Sequence, residues 1–149
     1  MTVRRNLDRT DREGGWTFIE TIVVIGIILI LTSSVGFMAF RYLEKAKVVS
    51  ARSQIETLAL ALDAYYLDCG RYPTAEQGLS ALWEKPSTDP VPSGWDGPYI
   101  NKKIPADPWG GSYEYSVPGE GNLPFGIRSL GADGREGGEG NDADVASWN

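Results

Sequence analysis

From Gly14 to Phe40 the chain is apolar almost without a break, GGWTFIETIVVIGIILILTSSVGFMAF, and Thr21 to Phe40 is a run of 20 residues with no charge. At 1.5 Å per residue such a helix is about 30 Å long, the thickness of a bilayer's hydrocarbon core, so the pattern predicts a membrane span. From Val48 the pattern becomes amphipathic. Ile55, Leu58, Leu62, Tyr65 and Tyr66 recur at helical spacing and form one stripe. Arg41, Glu44, Lys47, Arg52, Glu56 and Asp63 are left for solvent or for neighbouring molecules. Gly70 stands where a helix C-cap glycine belongs and Pro73 prevents continuation. One helix is therefore expected from about Phe18 to Cys69, roughly 75–80 Å of chain.

After Cys69 the texture changes, since 14 of the 18 glycines and all 9 prolines lie there. Thr74-Ala-Glu-Gln77 has capping-box spacing and predicts a short second helix, with Leu79 and Leu82 turned toward the long one. Residues 86–98, PSTDPVPSGWDGP, read as a turn-rich loop. Ser112–Ser116 and Phe125–Ser129 are strand candidates separated by a Pro/Gly turn, which suggests a hairpin with Tyr113 and Tyr115 on one face and Glu114 on the other. Trp95, Trp109 and Trp148 are read as packing residues. The expected class is α+β: a long N-terminal helical stalk, half membrane and half amphipathic, packed on a small C-terminal domain with a short helix, a small antiparallel sheet and a loop.

Charge and composition narrow the chemistry. The net charge of −6 argues against nucleic acid as a partner. The absence of histidine removes the commonest general base and transition-metal ligand. A single cysteine, Cys69, excludes an internal disulfide and is read as a small residue near a helix end. Ahead of the span, residues 1–15 hold Arg4, Arg5, Arg9 and Arg12 against Asp8, Asp11 and Glu13, with no apolar period. The apolar run is too long for an ordinary secretory signal, and no small-x-small cleavage site comes after it, so it is expected to be retained. Arg41, Lys45 and Lys47 on its far side nearly balance the arginines before it, so basic residues barely decide orientation.

Glu20 is the anomaly in the span, because a carboxylate there costs insertion energy. Two readings stand on the residues alone: an acid stabilised by the helix dipole at snorkelling depth, or one kept for assembly. The stretch Gly15-Trp16-Thr17-Phe18-Ile19-Glu20, behind a short charged leader, resembles the prepilin-peptidase site of type IV pilins and type II secretion pseudopilins. The resemblance implies cleavage between Gly15 and Trp16, N-methylation of Trp16, and pairing of that new amine with the Glu20 of a neighbouring subunit. Phenylalanine is usual where this chain has Trp16. The implied division is a leader at 1–15, a membrane and filament-core helix at 16–40, and a periplasmic region at 41–149. That region comprises stalk 41–69 and small domain 70–149.

The last twenty residues mix glycine with Asp133, Glu136, Glu139, Asp142 and Asp144 around one cation, Arg135. Hard oxygen donors on a flexible loop suit Ca²⁺ and not zinc. Neither an EF-hand nor a nonapeptide calcium repeat fits: Arg135 and Gly137 fall at EF-hand ligand positions, and Asp144 falls at the large apolar position of the repeat. A solvated acidic turn is the plain alternative. YPTAEQGLSAL, IPADPWGGSYEY and SLGADGREGGEGNDAD with SW after it resemble, in order, the corresponding segments of the major pseudopilins of type II secretion systems. This implies one structural Ca²⁺ held by Asp133, Asp144 and the Leu130 carbonyl, with Asp142 as a further ligand.

The function implied by the resemblance is a non-enzymatic subunit that polymerises into a periplasmic pseudopilus driving protein export. It would sit in the inner membrane as a single pass with its N-terminus cytoplasmic. Its expected partners are further copies of itself, the prepilin peptidase, minor pseudopilins and the inner-membrane platform. The rivals are a surface type IV pilin, which the lack of a C-terminal cysteine pair disfavours, and a membrane-tethered calcium-dependent binding domain or enzyme.

Overall fold

The computed structural model describes residues 16–148. The expected helix is present, with the expected ends: α1 runs Phe18–Cys69. Gly70 terminates it in the left-handed region (φ +71°) while its N–H donates to the Tyr66 carbonyl at 2.8 Å, the bond that a C-cap glycine supplies. The chain forms two units, one ending at Phe40 and the other beginning at Arg41.

In the first unit α1 is long and apolar enough to cross a membrane. Among the described side chains its large apolar ones are exposed, from Val24 at 37% to Phe18 at 83%. Two hydroxyls in this stretch are satisfied within the helix. Thr32 donates to the Ile28 carbonyl at 2.7 Å and Ser33 to that of Leu29 at 2.8 Å. A helix so arranged presents hydrocarbon without leaving these donors unmade.

The second unit is built on the apolar stripe of α1. Ala51, Ile55, Leu58, Ala61, Leu62 and Tyr65 are buried and join Leu79, Ala81, Leu82, Tyr113, Ile127 and Val145 in one core. Tyr66, expected in that stripe, is 44% exposed and instead stacks on Tyr72 with ring centroids 4.8 Å apart. It lies at the margin of the stripe, covered on one side only, by Tyr72. The capping box of Thr74 and Gln77 forms reciprocally, at 3.1 and 3.2 Å. The short second helix that follows it is a 3₁₀ helix, Leu79–Leu82, with both leucines buried as expected.

The hairpin is also present: β1 (Glu114–Ser116) pairs antiparallel with β2 (Gly126–Ser129), Glu114 opposite Arg128. The sheet has a third strand that the pattern did not reveal, β3 (Val145–Ala146), antiparallel to β2 with Arg128 opposite Ala146. Ile127 and Ser129 face the core, and Arg128 stands on the opposite face, only half-buried. Side-chain hydroxyls tie the layers together. Tyr113 donates to Gln54 at 3.0 Å and Tyr115 to the Pro73 carbonyl at 2.9 Å. Trp95 packs as expected, its indole donating to the Ala81 carbonyl at 2.9 Å.

Candidate functional site

At the start of α1 the Thr17 N–H donates to Glu20 Oε2 at 3.5 Å and the Glu20 N–H donates to Thr17 Oγ1 at 3.3 Å. This is a second capping box, Thr-x-x-Glu, at the N-terminus of the apolar helix. Within one chain Glu20 therefore has a local partner, and its negative charge lies at the favourable end of the helix dipole. Trp16 is 71% exposed just ahead of it. Gly15 and the leader expected at 1–15 lie outside the described residues.

The C-terminal loop between β2 and β3 folds back on itself so that its two arms lie side by side. The Ala132 N–H donates to the Asn141 carbonyl at 3.2 Å. Gly131 has φ +66°, and a Cβ there would sit 2.8 Å from the Ala143 carbonyl oxygen, so the close approach requires glycine. The expected ligands thus fall on adjoining arms, Leu130 and Asp133 on one, Asp142 and Asp144 on the other. Asp133 and Asp142 are exposed, whereas Leu130 and Asp144 are half-buried. Asp133 accepts the Arg135 N–H at 3.0 Å in an Asx turn. Asp144 Oδ2 accepts the Gly137 N–H at 3.2 Å, and Asp144 Oδ1 is buried with no hydrogen-bond partner. No three acidic or thiol side chains converge as a metal-holding group among the described residues.

Arg128, unremarkable in the sequence, organises the outer face of the sheet. Its Nε and Nη2 donate to Glu114 Oε2 at 3.0 and 2.7 Å, and its Nη1 donates to Glu136 Oε1 at 2.7 Å. The same Nη1 lies 3.6 Å from Asp144 Oδ2. The hydrogen bonds to Glu136 and Glu114 raise its pKa beyond its already high ordinary value. Arg128 was legible only through register: the expected hairpin, paired correctly, sets it opposite Glu114.

Glu44, expected at the surface, is 6% exposed. Lys47 donates to its Oε1 at 2.9 Å and the Trp109 indole approaches its Oε2 at 3.4 Å. Trp109 is placed by Asp107, a buried carboxylate that accepts the Trp109 N–H at 3.0 Å, the Gly111 N–H at 2.7 Å and the Ser129 hydroxyl at 2.5 Å. The segment IPADPWGG thus works as a clamp between α1 and β2. The hydrogen bond from Lys47 is the main reason that the Glu44 carboxyl titrates below its ordinary value; burial opposes it and the Trp109 indole adds to it.

Comparison with known proteins joins these features to a family. The model of the family described as type II secretion system (T2SS), protein G matches residues 38–148. The chain belongs to this family. The type II secretion system core protein G of Pseudomonas aeruginosa is 44% identical over 137 residues, covering 92% of this chain and 96% of that one. Its namesake in Vibrio cholerae is 45% identical, covering 93% of each. The crystal structure of the major pseudopilin from the type 2 secretion system of enterohaemorrhagic Escherichia coli is 42% identical, with a TM-score of 0.60. It covers 70% of this chain and 88% of its own. The pilin-like α+β fold expected for this protein G relative is thereby established.

Glu44 makes stability depend on pH. Because its folded pKa lies below 4.5, its interactions contribute stability above about that pH and lose it as pH falls through the lowered folded value. Glu44→Gln should lower the melting temperature at pH 7, and the gap to wild type should narrow as the pH falls below about 4.5. Thermal melts of the full chain in detergent measure this; a constant gap would show that the charge is irrelevant.

Proposed function

We propose that the chain is a structural subunit of the type II secretion pseudopilus, polymerising into a periplasmic filament that drives protein export across the outer membrane. The observation that carries this is the match to core protein G relatives over 92–93% of the chain. The subunit performs no chemistry of its own, in keeping with a sequence that lacks histidine altogether. Its apolar helix anchors it in the inner membrane as a single pass, N-terminus cytoplasmic, before assembly. Prepilin peptidase cuts between Gly15 and Trp16 and N-methylates Trp16. Copies of the chain then polymerise on the inner-membrane platform together with minor pseudopilins.

Glu20 has two roles in this proposal, local and intermolecular. The capping box orders the start of α1, and in the filament the carboxylate pairs with the Trp16 amine of a neighbouring subunit, offsetting the cost of a charge in a dry interface. The C-terminal loop binds one structural Ca²⁺. Two features support the fit: the unpartnered buried Oδ1 of Asp144, and a donor set made only of oxygen. Asp133, Asp144 and the Leu130 carbonyl would hold the ion, with Asp142 as the adjoining candidate. Ion binding would contribute to folding free energy by joining the two arms of the loop.

Mass spectrometry of assembled protein should show a mature chain beginning at Trp16 with one added methyl; an intact leader in filaments would overturn the proposal. Glu20→Gln separates the two roles, because glutamine serves a capping box but carries no charge. This variant should insert normally and assemble poorly, and filament yield equal to wild type would leave the cap as the whole role of Glu20. Calcium chelation should lower the melting temperature of the full chain by several degrees. Asp144→Asn should abolish that response. A curve indifferent to chelator would reduce the loop to an acidic turn.

A further inference from the structure

The loop between β2 and β3 already has a cation at its base, the guanidinium of Arg128. It collects Glu114 from β1, Glu136 from the loop and Asp144 from the residue before β3. Resting on the calcium reading above, we propose that Arg128 is a built-in competitor of Ca²⁺ for Asp144, keeping the loop's affinity for the ion low.

Nη1 of Arg128 lies 3.6 Å from Asp144 Oδ2. A calcium ion sits about 2.3–2.6 Å from a ligating oxygen, so whichever Asp144 oxygen it takes, it lies within about 8 Å of Nη1. That is no more than about one Debye length at physiological salt, and the Arg128 and Asp144 side chains are only 22% and 16% exposed, so screening is partial and the two positive charges still repel. Both draw on the same carboxylate: an ion on Asp144 weakens its attraction for Arg128, and Arg128 weakens the attraction of Asp144 for the ion. Coupling of this kind is reciprocal by thermodynamic necessity.

One effect opposes it. Arg128 also pins the loop through Glu136, which helps to order the site before the ion arrives. The Glu136 side chain is 78% exposed, and ion pairs so open to water contribute little. Removing Arg128 also frees Glu114 and Glu136, adding negative charge beside the site. The charge effect therefore wins, and its direction is fixed: without Arg128, calcium binds more tightly.

Calorimetric titration of the full chain in detergent micelles with CaCl₂ tests this on wild type, Arg128→Gln and Arg128→Lys. Arg128→Gln should bind about 5-fold more tightly than wild type, and calcium should raise its melting temperature by more. Arg128→Lys, which keeps the charge, should stay near wild type. Equal or weaker binding by Arg128→Gln overturns the competition while leaving the calcium site standing. Wild type that binds no calcium overturns both. If the glutamine variant is too unstable to titrate, Arg128→Val, a stronger strand former, carries the same expectation and the same refutation.

Discussion

The apolar stripe of α1 from Ala51 to Tyr65 has to be covered, and the chain available to cover it is too rich in glycine and proline to make a second helix of matching length. That constraint sets the architecture of the unit beginning at Arg41. Cover comes in pieces: a 3₁₀ turn that delivers Leu79 and Leu82, a hairpin that delivers Tyr113 and Ile127, and a two-residue strand that delivers Val145. Pieces this short cannot hold themselves together by secondary structure. The unit compensates with side-chain bonds that cross between segments, from Tyr113 to Gln54, from Tyr115 to Pro73, from Trp95 to Ala81 and from Ser129 to Asp107. Each satisfies a polar group that the covering layer would otherwise bury unpaired.

Two glutamates on α1 show how position decides the fate of a charge. Glu20 lies in the first turn, where free N–H groups and the dipole favour an acid, and Thr17 is in reach to complete the exchange. Glu44 lies mid-helix, where the backbone offers nothing. It is buried under Trp109, 65 residues away in sequence, and kept ionised by Lys47 one turn on. The first solution leaves the carboxylate exposed and available to another molecule. The second commits it to the interior of one chain.

Local signals made much of this readable in advance. Gly70 and Pro73 mark the end of α1, the Thr74–Gln77 box opens the turn before Leu79, and the alternation around Tyr113 and Tyr115 foretells which face of β1 is wet. Most of what escaped was decided by partners distant in sequence. β3 is two residues long and has no period to detect; it is a strand only because β2 lies beside it. Glu44 looks like a solvent residue until Trp109 arrives. The helix after Gln77 starts only at Leu79 because Gly78, at φ +58°, interrupts the turn that the Thr74–Gln77 box opens. The Thr17–Glu20 spacing is as plain as the Thr74–Gln77 one, but it sits inside an apolar run, where an acid reads first as a cost of insertion and only second as a cap. At the loop, composition pointed to cation binding, while the cation contributed by the protein itself became visible only with the sheet register.

That cation changes how the acidic loop is understood. Counted along the sequence, residues 130–144 carry five carboxylates against Arg135 alone, an arrangement that calls for an outside ion. Among the described residues Arg135 forms no side-chain ion pair with any of them, and Arg128, from outside the loop, takes Glu136 and approaches Asp144. The partnering is incomplete: one Asp144 oxygen is held by Gly137 and approached by Arg128, while the other is buried with nothing to accept. A buried acceptor left open is costly, and a loop balanced this way is closed enough to keep its arms together yet still short of one donor. Divalent calcium is the kind of species that could supply what the guanidinium does not, without displacing it from Glu114 and Glu136.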